Sequence, residues 1–290
     1  MTLAARQPRR RVFRLGLFAV AVVGTLFGLF SLWLHLITDP LIDFHAYYDA
    51  AARLNAGTTL YLPESNPFYP DFYRYPPLLA IVLRPLALLP YDTAALVWGV
   101  LLVAATVLTL FVLGARRPQT WLALGILGLP IGWAVSVGQA QVLVTLLLAF
   151  GAPWSVALAA QLKVLPALAA LYWVGRRDWR SLGRFALITA GLIVVQFALA
   201  PADAGAFASV FSLDEVGIVR NLSPYSISPP LWFALVGAGA IATLLLARTR
   251  WGWAAAVSLS VLASPRLLAY MLASMWASIR RSDEGQDPVR

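Results

Sequence analysis

The chain has 290 residues, of which 60% are hydrophobic and only 12% charged. A soluble domain carries about 25% charged residues, so composition excludes a soluble fold and places the chain among polytopic membrane proteins. It has no cysteine, which removes disulfides and thiol chemistry. The net charge of +9 does not point to nucleic acid. The arginines cluster at Arg9–Arg11 with Arg14, at Arg116–Arg117, at Arg176–Arg177 with Arg180 and Arg184, at Arg248 and Arg250, and at Arg280–Arg281. Each cluster abuts an apolar run, as in cytoplasmic loops, with anionic lipid headgroups as counter-charge.

The first predicted element is a span over about residues 13–36. Its apolar run, residues 15–37, exceeds the roughly 7–15 residues of a signal-peptide core. Ala19-Val-Ala21 matches a cleavage pattern but falls inside the run. The expectation is an uncleaved anchor with residues 1–12 as a basic cytoplasmic N-terminus.

Residues 38–77 form the longest polar stretch and an expected external catalytic loop. It holds Asp39, Asp43, Asp49, Glu64 and Asp71, five of the thirteen acidic residues, with six tyrosines, His45, Arg53 and Arg74. Residues 43–55 fit a short interfacial helix ended by Gly57, with Ala46, Ala50 and Leu54 on one face and Tyr47 beside Ala51. The proline-rich part from Pro63 to Pro77 is incompatible with a regular helix.

Further apolar segments follow at 78–89, 93–114, 121–137, 139–150, 154–174, 185–200, 230–247, 251–263 and 267–279, several too short for a straight span. At roughly 20 residues per span, this gives an all-α polytopic bundle of about eight to ten transmembrane or half-membrane helices. The breaks at Gly138-Gln139 and Ser264-Pro265-Arg266 suggest helices interrupted beside a cavity. Two topologies remain. If 78–89 crosses, Arg116–Arg117 lies outside. If it is re-entrant, those arginines lie inside, Gln139 faces out and 154–174 is a hairpin bent near Pro166. Residues 201–229 form a second external loop in either case, and residues 280–290 a cytoplasmic tail. The whole chain reads as one transmembrane domain in a plasma membrane, with its site on the external face.

Lys163 is the only lysine among 22 basic residues and sits within an apolar run. An intramembrane ionisable group is a functional candidate, and an ammonium suits a phosphate; the alternative is snorkelling to a headgroup. Asp43 is a candidate general base or a helix N-cap. Asp39, ahead of Pro40, reads as a turn residue. Arg74 and Arg266 are candidate phosphate clamps, with pairing to loop carboxylates the other reading for Arg74. His45 is a sugar or phosphate contact or a packing residue, and His35 an interfacial side chain. Gln139 and Gln141 suit sugar hydroxyls or helix contacts. Asn221-Leu-Ser223 matches a glycosylation acceptor in form. The sequence lacks HExxH, GxSxG, P-loop, GxGxxG and DxD patterns, which counts against a nucleotide-sugar enzyme and a metalloenzyme.

Taken in order, several segments carry a family likeness: Asp43-Phe-His-Ala-Tyr-Tyr-Asp-Ala-Ala-Ala52, Ala56-Gly-Thr-Thr-Leu-Tyr61, Tyr73-Arg-Tyr-Pro-Pro-Leu-Leu-Ala80, Pro85-Leu-Ala-Leu-Leu-Pro90 and Leu96-Val-Trp98. Gly138-Gln139, Leu162-Lys163 with Pro166, Arg176–Arg180, Asn221-Leu-Ser223 and Ser264-Pro265-Arg266 follow. Over about residues 38–275 the chain resembles GT87-type glycosyltransferases of the GT-C fold, the polyprenyl-phosphate-mannose-dependent α-mannosyltransferase-like membrane proteins. The resemblance implies a hexosyltransferase that moves a hexose, mannose by likeness, from a polyprenyl-phosphate donor to a lipid or glycan acceptor, with inversion. It implies Asp43 as catalytic base and His45, Arg74, Tyr75, Gln139, Lys163, Asn221 and Arg266 as substrate-binding residues. No metal or other cofactor and no nucleic-acid partner is implied. The sequence departs from the pattern after the late Ser-Pro, where Arg266 and Tyr270-Met271 replace acidic residues or histidines, and the chain ends soon after. Two alternatives stand beside the enzyme: an inactive, shortened member serving as a partner subunit, and a lipid-linked substrate transporter or flippase.

Overall fold

The computed structural model describes residues 6–62, 72–210 and 221–280. Glu64, Asp71 and Arg281 lie outside them. Among the described residues the chain is all-α, without a strand, in agreement with the expected class. In bilayer hydrocarbon each backbone polar group needs an internal partner, and a helix supplies it within one segment.

Among the described residues four helices are long and apolar enough to cross a membrane: α1 (Arg6–Thr38), α4 (Tyr91–Leu113), α10 (Trp179–Leu199) and α12 (Pro229–Leu246). Most of their apolar side chains are uncovered by the rest of the chain, as in Phe18, Phe27, Val100, Val194 and Leu245. Shorter helices carry the core: α7 (Gln141–Phe150), α8 (Pro153–Leu162) and α13 (Gly252–Leu262), with a 3₁₀ helix over Ala269–Ile279. Val144, Leu148, Val156, Trp253, Val257 and Trp276 there are fully or almost fully buried. Long spans thus form a lipid-facing rim around short, interrupted helices.

Helix α1 packs along α5 (Pro118–Ile126) and α6 (Gly128–Ser136), which are bent 68° to each other. Gly24 abuts Gly125, and Gly28 abuts Gly128 and Gly132; a Cβ on Gly132 would lie 2.5 Å from the Gly28 carbonyl oxygen. Only glycine allows backbones this close. Sequence numbers rise together along the two partners, so they run parallel. Arg116 and Arg117 therefore share an end with the start of α1, and Gln139 shares the end of Asp43.

That geometry groups the chain ends and breaks as the second of the two topologies does. The 78–89 segment is a seven-residue helix, α3 (Pro77–Leu83), followed by a 3₁₀ turn over Leu86–Leu88. At about 1.5 Å per residue α3 is far too short to cross. Both pieces pack on α2 (Phe44–Asn55), and Arg84 Nε donates to Asn55 Oδ1 at 2.9 Å.

The 154–174 segment is a hairpin. Helix α8 rises to Lys163, whose backbone is extended at φ −147°, ψ 130°. A 3₁₀ helix (Leu165–Ala170) and α9 (Leu171–Arg176) then descend. Pro166 has no N–H to donate and sits in the first turn of the 3₁₀ helix, where none is needed. At the far end, Arg176 Nη1 donates to the Ala247 carbonyl at 3.4 Å, and Arg280 lies over Trp253.

Two expectations are refined. Helix α2 starts at Phe44, ends at Asn55 and is followed by Gly57 at φ +71°. The segment after Pro201 begins as a ten-residue helix, α11 (Pro201–Val210), rather than as loop. Its alanine-rich sequence favours helix, and buried Asp203 accepts from the Leu60 N–H at 2.8 Å and the Thr59 hydroxyl at 3.0 Å.

Candidate active site

Asp43 occupies the N-cap position of α2, yet its side chain makes no cap hydrogen bond. Its Oδ2 instead accepts from Nε2 of Gln139 at 2.5 Å. Two backbone bonds fix this pairing: the Leu41 N–H donates to the Ser136 carbonyl and the Asp43 N–H to the Val137 carbonyl, both at 2.9 Å. The loop after α1 is thereby laid on the break between α6 and α7.

Gly138 makes the break possible. Its φ of +81° suits glycine, and a Cβ there would approach Leu41 Cα to 3.2 Å and Phe44 Cβ to 3.3 Å. Its carbonyl accepts from the Trp98 indole at 2.8 Å. Leu41 is itself left-handed at φ 54°, an uncommon conformation for a residue with a side chain.

The Gln139 amide has partners on both sides. Its Oε1 accepts from the Tyr47 hydroxyl at 3.1 Å and the Tyr75 hydroxyl at 3.2 Å. Those hydroxyls lie 3.1 Å apart, and the rings meet edge to face at 5.1 Å. An ionised carboxylate only accepts, so the amide orientation is set by chemistry: nitrogen toward Asp43, and oxygen toward the tyrosine hydroxyls, which donate to it.

Lys163 approaches from the hairpin apex. Its Nζ is buried and has no hydrogen-bond partner among the described residues. It sits over two aromatic faces, 5.5 Å from the Tyr75 ring centre and 5.0 Å from that of Tyr270. The Lys163 and Asp43 charges act on each other. Burial raises the Asp43 pKa above its ordinary value; the Gln139 hydrogen bond and the charges of Lys163 and His35 oppose that rise, and Asp39 adds to it.

Arg74 stacks on Phe72 at 4.9 Å, and the charges of Arg266 and Arg74 both act on the Tyr270 hydroxyl. Asp43, Gln139, Tyr75 and Lys163 therefore gather around one spot, with the charges of Arg74 and Arg266 near enough to act on Tyr270 beside it. Asn221 lies behind it. Its Nδ2 donates to the Pro265 carbonyl at 3.0 Å, and its Oδ1 accepts from the Leu267 and Ser223 N–H groups at 2.9 Å. It clamps the loop that carries Arg266. His45 is exposed and stacks face to face on Tyr91 at 4.0 Å, on the other side of α2 from buried Tyr47.

Gln141 and Gln139 separate. Gln141 Nε2 donates to the Ser274 hydroxyl at 2.6 Å, a helix contact. Asp39 accepts from Thr38 at 2.5 Å and pairs with His35 Nδ1 at 2.7 Å. Among the described residues no group of three His, Cys, Asp or Glu side chains is placed to hold a metal ion. Tyr47 and Tyr270 join the site without having been singled out. Tyr47 was readable only as an interfacial tyrosine, and Tyr270 only as a departure from a motif. A buried bridge from Gln196 to Gln161 at 2.7 Å and to the Leu78 N–H at 3.0 Å also braces α8 against α3.

Residues 72–286 match glycosyltransferase family 87. The chain belongs to that family. Asp43 and α2 precede the matched stretch, whereas Gln139, Lys163, Asn221 and Arg266 fall inside it. Two similar proteins are described as polyprenol-phosphate-mannose-dependent alpha-(1-2)-phosphatidylinositol pentamannoside mannosyltransferases. The one from Mycolicibacterium smegmatis is 29% identical over 193 residues, which is 59% of this chain and 47% of the relative. The one from Mycobacterium tuberculosis is 27% identical over 267 residues, 83% of this chain and 58% of the relative. The family 87 chain thus spans about half the length of the curated relatives it matches. No solved structure matches it.

Proposed function

We propose that this family 87 chain transfers a hexose from a polyprenyl-phosphate donor to a hydroxyl of a lipid or glycan acceptor. The observation that carries the reading is the Lys163 ammonium, buried without a hydrogen-bond partner between Tyr75 and Tyr270 and across from Asp43. A buried cation in that state is costly alone and suits an incoming phosphate as a compact charge with three donors. The likeness to polyprenol-phosphate-mannose-dependent mannosyltransferases supports mannose as the hexose and a lipid-linked glycan as the acceptor class.

Asp43 Oδ1 takes the proton of the acceptor hydroxyl. The acceptor oxygen attacks the anomeric carbon from the face opposite the phosphate, the carbon–oxygen bond to the phosphate breaks, and configuration inverts. The polyprenyl phosphate leaves with the bonding electron pair, and Lys163 stabilises its charge, with Arg74 and Arg266 beside it. The raised pKa of Asp43 makes its carboxylate a stronger base than an exposed one. The Asp43 end is the external face in this reading, because Arg116, Arg117, Arg176, Arg180, Arg248 and Arg250 group at the opposite end.

The test is a membrane assay with radiolabelled polyprenyl-phosphate mannose and wild-type, Asp43→Asn and Asp43→Ala chains. Wild-type turnover with loss of roughly 100-fold or more in both variants is expected, on the scale of acid–base catalysis. Equal turnover in all three would remove Asp43 as base. The anomeric configuration of the product reads inversion directly.

A further inference from the structure

We infer that Gln139 is a positioning residue: it fixes Oδ2 of Asp43 and leaves Oδ1 as the atom that accepts the proton, while Tyr47 and Tyr75 lock its amide. The inference rests on the reading of Asp43 as base. Four observations converge on it. Gln139 is 4% exposed, which leaves little surface for a sugar. Its Nε2 is given to Asp43 Oδ2 and its Oε1 to two tyrosine hydroxyls. Asp43 Oδ1 makes no hydrogen bond to the described residues and is not sealed from solvent, so it remains open to a partner. Finally, the backbone bonds of Leu41 and Asp43 to Ser136 and Val137 bind the two segments into one unit.

A flipped Gln139 amide would set its oxygen against the Asp43 carboxylate and its nitrogen against two phenols. The Asp43 carboxylate makes that orientation unfavourable, since the flipped amide turns a lone pair toward an anion, and it would also lose the two phenol donors to Oε1. Orientation of a base by a third group follows the general pattern of activated catalytic sites. The positions are contributed by three separate elements, with Tyr47 from α2, Tyr75 from the approach to α3, and Gln139 from the break before α7.

Other groups face Asp43 as well: His35 and Asp39 from the end of α1, Lys163 from the hairpin apex, Tyr47 and Tyr75, and Tyr270 from the final 3₁₀ helix with Arg74 and Arg266 behind it. Among these, the Gln139 hydrogen bond is the strongest influence that favours the Asp43 carboxylate. Its removal therefore raises the pKa of Asp43 and moves the acidic limb of activity to higher pH.

The experiment measures pH profiles of kcat and kcat/KM for wild type, Gln139→Met and Tyr75→Phe in detergent-solubilised full-length chain with the mannose donor. Gln139→Met keeps side-chain length and removes both hydrogen-bonding ends. The expected result is a fall in kcat of roughly 10-fold, an acidic limb displaced upward, and donor KM within about 3-fold of wild type. Tyr75→Phe keeps the ring under Lys163 and is expected to displace the limb in the same direction by less. A change in KM with an unmoved limb would make Gln139 a substrate contact and overturn the inference. Should Gln139→Met not fold, Tyr75→Phe decides: an unmoved limb overturns it. Asp43→Asn, run alongside, separates the two ideas. If Asp43→Asn retains turnover the base reading itself falls, whereas an inactive Asp43→Asn with an unmoved limb in Gln139→Met sinks only the positioning role.

Discussion

Lys163 Nζ stands 5.0 Å from the centre of the Tyr270 ring, and among the described residues no oxygen accepts from it. The aromatic face holds the cation by its quadrupole without using any of the three N–H donors. The ammonium is thus placed and still free to bind.

Lys163→Met is expected to raise the donor KM by roughly 10- to 100-fold, the loss of a charge-assisted hydrogen bond worth about 1.5–3 kcal/mol. Lys163→Arg should recover only part of this, because the planar guanidinium does not substitute for a compact ammonium between two rings. Steady-state kinetics with a varied donor checks both. An unchanged KM in Lys163→Met would make Lys163 a membrane-anchoring side chain.

Asp43 should trade stability for activity. Its pKa is raised in the folded chain, so between the unfolded carboxyl value, about 3.9, and the folded value the native state binds more protons than the unfolded one. Stability from this group is full below that window and is lost as pH rises through the folded pKa. Asp43→Asn, which keeps an acceptor for Gln139, is expected to be as stable as wild type or more so at pH 7. Its advantage should shrink on acidification. Denaturant unfolding in micelles at several pH values measures this, and a variant less stable at pH 7 than at pH 4, relative to wild type, contradicts it.

Gly138→Ala is expected to cost about 1–3 kcal/mol. The φ of +81° is unfavourable for alanine, and the new methyl meets Leu41 and Phe44. Because those residues flank Asp43, turnover should fall along with the melting temperature. Normal turnover in a chain with a lowered melting temperature would show that the loop tolerates displacement.

Asn221→Ala is expected to loosen the Ser264–Leu267 loop by removing three hydrogen bonds to its surroundings. The donor KM should rise by less than in Lys163→Met, with the acidic limb of the pH profile unmoved. Asn221→Asp keeps the acceptor to Leu267 and Ser223 but sets a carboxylate oxygen against the Pro265 carbonyl, so it should not recover the wild-type KM. A displaced acidic limb in either variant would show that Asn221 acts on Asp43 instead.

Much of the site was legible before its geometry. A lone lysine in an apolar run and a carboxylate just past the first span stand out, because ionisable groups at such places are costly unless used. What periodicity could not separate was paired readings of one residue. Asp43 fits an N-cap equally well by position, and only the observed bond to Gln139 shows its side chain turned away from α2. Gln139 and Gln141 are two residues apart on a helix start, so composition treats them alike; one meets Asp43 and the other Ser274. Tyr47 and Tyr270 carried no signal beyond their type, since an aromatic near a membrane surface is common.

By itself the sequence determined the bilayer as solvent, the helical class, the arginine-rich end and the family likeness. Each of these follows from local composition and from the order of motifs along the chain. The tertiary structure alone decided that residues 154–174 fold back at Lys163, that 78–89 does not cross, and that Asp43, Gln139 and Lys163 meet. Those facts depend on contacts between segments far apart in the chain: the parallel glycine packing of α1 on α5 and α6, and the hydrogen bonds from Leu41 and Asp43 to Ser136 and Val137. Segment hydropathy sets how favourably a helix enters lipid, whereas the approach of two backbones and the direction of an amide are set by the neighbours they find there.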